Sequence, residues 1–130
     1  MSKKIALVGH CGPDSSYLRM TINKALNNDA SIIMADDDAE LSEALGNRPD
    51  LVLFNRELGY GFSETEGVRV IEQLRKSNPS LKMMLVTNYP EVQAAAIAAG
   101  ALPGFGKREL GTARVLEVLR DAMKEPAPQT

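Results

Sequence analysis

Two rhythms of apolar and polar positions take turns along the chain. Short continuous apolar runs appear as KIALV (4–8), SIIMA (31–35), DLVLF (50–54) and KMMLVT (82–87). Runs of this length, bounded by polar or turn residues, predict strands buried on both faces. Between them apolar residues recur at helical spacing. In SSYLRMTINKALNN, Leu18, Ile22, Ala25 and Leu26 share one face, with Asp14 or Ser15 as the predicted N-cap and Pro13 closing the preceding loop. DDDAELSEALGN (36–47) predicts a short helix: its aspartates suit a positive helix N-terminus, and Gly46 and Asn47 suit its end. In VRVIEQLRKSN (68–78), Val68, Ile71 and Leu74 line one face before Pro79 stops the helix. PEVQAAAIAAG (90–100) starts on Pro90 and stops at Gly100. TARVLEVLRDAMK (112–124) gathers Val115, Val118, Leu119, Ala122 and Met123. PGFGK (103–107) is expected as a short fifth strand, weakened by its glycines.

Five repeats of strand then helix, with short connections, predict an α/β domain with a parallel sheet covered on both faces. Ligands in such sheets sit beyond the carboxyl ends of the strands. That directs attention to Gly9, His10, Asp36, Asn55, Thr87 and Lys107. Asn55 stands out, because a strand end suited to chemistry presents an uncharged amide.

Length and composition narrow the picture. A chain of 130 residues suits one domain, expected over 1–124, with EPAPQT (125–130) as a flexible tail or the start of a linker. At 44% hydrophobic and 25% charged, it has enough apolar content for one core. Fifteen basic and seventeen acidic residues leave −2, so no charge excess draws it to nucleic acid or an anionic membrane. The single cysteine, Cys11, forms no internal disulfide, and a reducing cytoplasm is the expected compartment. The apolar run near the N-terminus is too short for a signal-peptide core, and no run approaches the ~20 residues of a membrane span.

Other chemistry-bearing stretches have weaker claims. His10 and Cys11 in GHCGPD suggest a metal site or a nucleophile with its base. Adjacent residues after a strand diverge, however, and no second His or Cys exists, so both are expected to line a partly buried loop. Aspartates 36–38 lack the alternate spacing of a calcium loop, and glycines 59, 61 and 67 do not lead into the Lys-Ser/Thr of a phosphate loop.

PDLVLFN (49–55) with its glycine-rich loop, MMLVTN (83–88), AAAIAAGA (94–101) and GFGK (104–107), in that order and spacing, resemble the receiver domain of bacterial two-component response regulators. The resemblance covers about residues 4–123. It implies a (βα)5 flavodoxin-like three-layer sandwich, with a parallel five-stranded sheet in order 2-1-3-4-5. In that family an acidic pair after the first strand holds Mg²⁺, and an Asp ending the third accepts a phosphoryl group. A Thr or Ser after the fourth strand and a Lys after the fifth bind its oxygens, and an aromatic residue on the fifth reports the state. By position Thr87 and Lys107 match. The acidic pair falls on Gly9 and His10, the phosphoacceptor on Asn55, and the switch aromatic on Gly104, with Phe105 beside it. Arg108 stands where a Pro usually follows the Lys.

The resemblance therefore implies an atypical receiver, a pseudo-receiver lacking the phosphorylation chemistry. Residue chemistry agrees. An amide lone pair is delocalised and cannot attack phosphorus as a carboxylate can. Mg²⁺ prefers anionic oxygens, which glycine, imidazole and an amide do not supply. The expectations are a non-catalytic domain with no cofactor, weak or absent Mg²⁺ binding, and Lys107 hydrogen-bonded to Asn55. Its partner is expected to be a protein, another signalling protein or domain, with no nucleic acid and no membrane; the chain itself is a monomer or weak dimer. The partner face would be the fourth helix, with alanines 94–96, 98 and 99, together with the fifth strand and fifth helix. Two alternatives stay open. One is a receiver still phosphorylated through a rearranged acidic site, with Asp14 or Asp36 as the substitute carboxylate. The other is a small flavodoxin-like enzyme or ligand-binding domain using His10 and Cys11.

Overall fold

The computed structural model describes residues 3–124. Strands β1 (Lys3–Val8), β2 (Ala30–Ala35), β3 (Leu51–Asn55) and β4 (Met83–Val86) form a parallel sheet in the order β2-β1-β3-β4. Helices α1 (Gly12–Ala25), α2 (Asp38–Gly46), α3 (Gly67–Ser77), α4 (Pro90–Ala98) and α5 (Ala113–Ala122) connect and follow them. Register is set by apolar residues meeting across neighbours: Leu7 faces Met34 on one side and Leu53 on the other, and Leu53 faces Met84.

Successive strand side chains point to opposite faces, so each central strand feeds two cores. Ile5, Leu7, Leu51 and Leu53 meet Leu18 and Ile22 of α1 and Val115 and Leu119 of α5. Ala6, Val8, Val52 and Phe54 pack with Leu41 of α2, Val70 and Ile71 of α3 and Ala96 of α4. A sheet buried on both sides reads as continuous apolar runs. The helix placement makes this a three-layer α/β sandwich, with α1 and α5 on one side and α2, α3 and α4 on the other.

The expected fifth strand is corrected. Residues 103–107 lie beside β4 but make only a single parallel bridge, Val86 to Phe105, with Leu102 N donating to Met83 O (2.8 Å) and Thr87 N to Phe105 O (3.0 Å). Pro103 has no N–H to give to a ladder, and Gly104 lies too close to the Leu85 carbonyl to have a side chain. The ladder is completed by Gln93 of α4. Its Nε2 donates to Leu85 O (2.8 Å) and Phe105 O (3.3 Å), and its Oε1 accepts from Gly104 N (3.2 Å).

The start of α1 is also corrected. Cys11, rather than Asp14 or Ser15, takes the N-cap position, without a capping side-chain bond, and Pro13 lies in the first turn. Asp14 is thereby left free to reach elsewhere. At α2 the expectation of aspartates at the start holds, with Asp37 Oδ1 accepting from Glu40 N at 2.7 Å. The tail predicted over 125–130 lies outside the described residues.

Candidate functional site

Gly9, His10, Asn55, Thr87 and Lys107 gather at the carboxyl ends of β1, β3 and β4 and of the segment beside β4. Asn55, Arg56, Thr87, Asn88, Tyr89 and Lys107 line a common cavity of about 230 Å³. Asp36 is exposed at the end of β2 and is not part of that lining.

The expected bond between Lys107 and Asn55 is absent, and two other arrangements replace it. Lys107 Nζ pairs with Asp14 Oδ2 at 2.6 Å. That hydrogen bond, with a further one from Cys11, holds the Asp14 carboxyl below its ordinary range. Asn55 Nδ2 instead donates to Gly9 O (3.1 Å) and Glu57 O (2.9 Å), tying the end of β3 to the loop after β1. A carboxylate could make neither bond, because both partners are acceptors. Arg56 is occupied as well: it lies 3.3 Å from Glu57 and 5.4 Å from the Tyr89 ring centroid. Both cations at the cavity thus have a carboxylate partner of the chain's own.

His10 is turned inward and buried, while Cys11 is exposed. The ring Nε2 lies 2.9 Å from Leu53 O, a pure acceptor, so Nε2 carries a proton. Nδ1 is buried without a partner. Burial lowers the His10 pKa from 6.5 to about 4, against the opposing pull of the Leu53 carbonyl, with smaller effects from Lys107 and Asp14. The unfolded chain therefore binds a proton near pH 6.5 that the folded chain refuses until about pH 4. Stability from this group is complete above pH 6.5 and lost as pH falls toward 4, by about 3 kcal/mol on the ordinary conversion. Urea unfolding from pH 7.5 to 4.5 should show this loss, and His10→Gln, whose amide can donate to Leu53 O without titrating, should flatten it. Equal slopes for the two proteins would place the acid sensitivity elsewhere.

Gly9 has φ +73°, and a Cβ there would lie 2.8 Å from Leu58 Cα. The position that matches the first of the family's acidic pair thus excludes any side chain in this conformation. Thr87 is buried, with Oγ1 accepting from Tyr89 N at 3.3 Å. Lys107 opens a short 3₁₀ turn (Lys107–Glu109), which is held when Arg108 N donates to Asn88 Oδ1 (2.9 Å).

At the position that matches the family's switch aromatic, Gly104 has the Gln93 amide against it in place of a side chain, and Phe105 beside it is buried in the α1 and α5 core. Gln93 escaped the sequence reading. A glutamine in an alanine-rich helix gives no signal of its own; only the glycines of PGFG, which leave room for it, hinted at its place.

The donor set does not fit Mg²⁺. His10 Nε2 is a donor, the Gly9 carbonyl accepts from Asn55, and Asp14 is paired with Lys107. Among the described residues, no group of three or more His, Cys, Asp or Glu side chains is placed to hold a metal ion.

No family model matches the chain, and none of the curated proteins does. Solved structures do. The receiver domain of NtrX from Brucella abortus superposes with a TM-score of 0.70 at 21% identity, over 93% of this chain and 98% of that one. The signal receiver domain of a DNA-binding response regulator from Colwellia psychrerythraea gives 0.72 at 14% identity, over 92% and 97%. That of an HD domain-containing protein from Pseudomonas fluorescens gives 0.68 at 21%, over 94% and 87%. The fold is the flavodoxin-like fold of response-regulator receiver domains. Among the described residues no helix is long and apolar enough to cross a membrane.

Proposed function

We propose that this chain is a receiver-type module of two-component signalling that acts as a protein-interaction domain without being phosphorylated. The observation that supports this most is how the pocket groups are occupied. Lys107 is neutralised by Asp14 at 2.6 Å, and the Asn55 amide is committed to two backbone carbonyls. A phosphoryl group entering here would have to break an ion pair, and would find neither nucleophile nor metal ligand. The pocket is a structural junction that fixes one state, and the domain is neither an enzyme nor a Mg²⁺ protein. We place it in the cytoplasm, where receiver-type partners operate.

The partner face in this reading is α4 with the segment 103–107 and α5. Ala94, Ala95 and Ala98 of α4 are exposed, as is Ile97, so small side chains and one branched apolar residue face outward. Gln93 fixes α4 to the sheet, so the face is preorganised without a switch.

One experiment tests the proposal. The ¹⁵N-labelled chain is titrated with Mg²⁺ to 10 mM and then given acetyl phosphate. No saturable shift near Asn55 and an unchanged intact mass are expected. A dissociation constant below about 1 mM, roughly −4 kcal/mol or stronger, with an added phosphate, would instead promote the reading in which Asp14 serves as a substitute carboxylate. The His10 and Cys11 reading is disfavoured by their divergence, His10 being bonded to Leu53 O and Cys11 facing solvent.

A further inference from the structure

The loop between β3 and α3 presents Tyr60 to solvent with no cover: its relative exposure is 108%, the highest of the large hydrophobic residues. The loop around it is braced on every side. Leu58 and Phe62 are buried in the core, Leu58 N donates to Thr65 O (2.8 Å), and Glu57 pairs with Glu66 in an antiparallel bridge. Across to the start of α2, Asp38 N donates to Gly61 O (3.1 Å), and Ser63 N and Oγ both donate to Asp38 Oδ2 (3.0 and 2.7 Å). Gly61 lies against the backbone of Asp36 and Asp37. A mobile loop would spread an exposed tyrosine over many positions; here the backbone that carries it is fixed on both sides. Large apolar surface left in water is unfavourable, and tyrosine on a fixed support is a common anchor at interfaces.

Charge decides the class of partner. Residues 36–40 and 56–66 contain seven carboxylates, of which Glu57 is paired with Arg56 and Glu66 with Arg69; Asp36, Asp37, Asp38, Glu40 and Glu64 have no ion-pair partner among the described residues. An aromatic face within a field of carboxylates attracts a cation twice over, through the ring quadrupole and through charge-assisted hydrogen bonds. A guanidinium satisfies both, since it stacks flat on a ring and forks onto carboxylates.

We propose that Tyr60, with the carboxylates of Asp36 and its neighbours, forms a docking surface for an arginine-bearing segment of a partner protein. The surface centres on Tyr60 and residues 36–38, beyond β2 and β3, and does not depend on phosphorylation.

The probe is an acetylated, amidated Gly-Arg-Gly-Arg-Gly-Arg peptide, titrated into the ¹⁵N-labelled chain at low salt. Saturable shifts should centre on amides 36–38 and 59–61. The lysine peptide should bind several-fold more weakly, and a glutamate peptide should not bind. Tyr60→Ala should weaken binding about fivefold, while Tyr60→Phe, which keeps the ring face, should bind within a factor of two of the parent. Tyr60 has no cover to lose, so both variants should retain the parent spectrum elsewhere. Unaltered affinity in Tyr60→Ala, equal losses in both variants, or shifts centred on another acidic patch would each overturn the proposal.

Discussion

Gly104→Tyr, which places an aromatic residue at the position where the receiver family carries its switch, should destabilise the protein by about 3–5 kcal/mol. Two effects add. A Cβ at 104 would run into the Leu85 carbonyl, a backbone atom of β4 that has little freedom to retreat. The same atom would crowd the Gln93 amide at 3.2 Å and the ring beyond it would displace that amide, whose Oε1 accepts from Gly104 N and whose Nε2 serves Leu85 O and Phe105 O. Losing that bridge strands the Leu85 carbonyl and the Gly104 N–H, while Phe105 O keeps its bond from Thr87 N. It also loosens α4, whose only buried residue is Ala96. The midpoint of urea unfolding should fall accordingly, and amides 90–98 should exchange faster with solvent than those of α3. Stability within 1 kcal/mol of the parent would show that residues 103–107 can swing away from β4, and that Gln93 fixes nothing.

That bridge also shows where sequence reading stops. Four strands were legible because each apolar run packs against helices on both faces, fully for β1, β3 and β4 and in part for the edge strand β2. The fifth was legible as a position but not as a strand, since its hydrogen bonds come from a helix side chain and no local propensity encodes that. The site divided in the same way. Asn55, Thr87 and Lys107 could be placed because each follows a recognisable strand or segment. The direction of His10 could not, because positive φ at Gly9 breaks the alternation that would have told inward from outward. The Asp14–Lys107 pair joins opposite ends of the chain, and a helix-start aspartate reads locally as a cap. Its true role depends on Cys11 having taken the cap position.

Asn55→Asp, which supplies a phosphoacceptor carboxylate, should leave the intact mass unchanged after acetyl phosphate and Mg²⁺. The new carboxylate would face the Gly9 and Glu57 carbonyls that Asn55 now donates to, trading two hydrogen bonds for repulsion. A loss of about 2–3 kcal/mol at pH 7 is expected. Facing acceptors raises the carboxyl pKa above its ordinary value, so the folded state favours the protonated form. The variant should therefore approach the parent's stability near pH 4 and fall behind it as pH rises, and its protonated carboxyl would be a poor nucleophile. Lys107 gives limited help while Asp14 holds it, and without a metal the charge on the transferring oxygens has little to stabilise it. Adding the acidic pair meets a second obstacle, since Gly9→Asp forces a side chain against Leu58 from a positive-φ backbone. Phosphoryl transfer should appear only when Asn55, Gly9 and His10 are all made acidic and Leu58 is shortened to make room. Intact-protein mass spectrometry decides the matter: a phosphate adduct on Asn55→Asp alone, present with Mg²⁺ and absent with EDTA, would mean that the site lacks only its nucleophile.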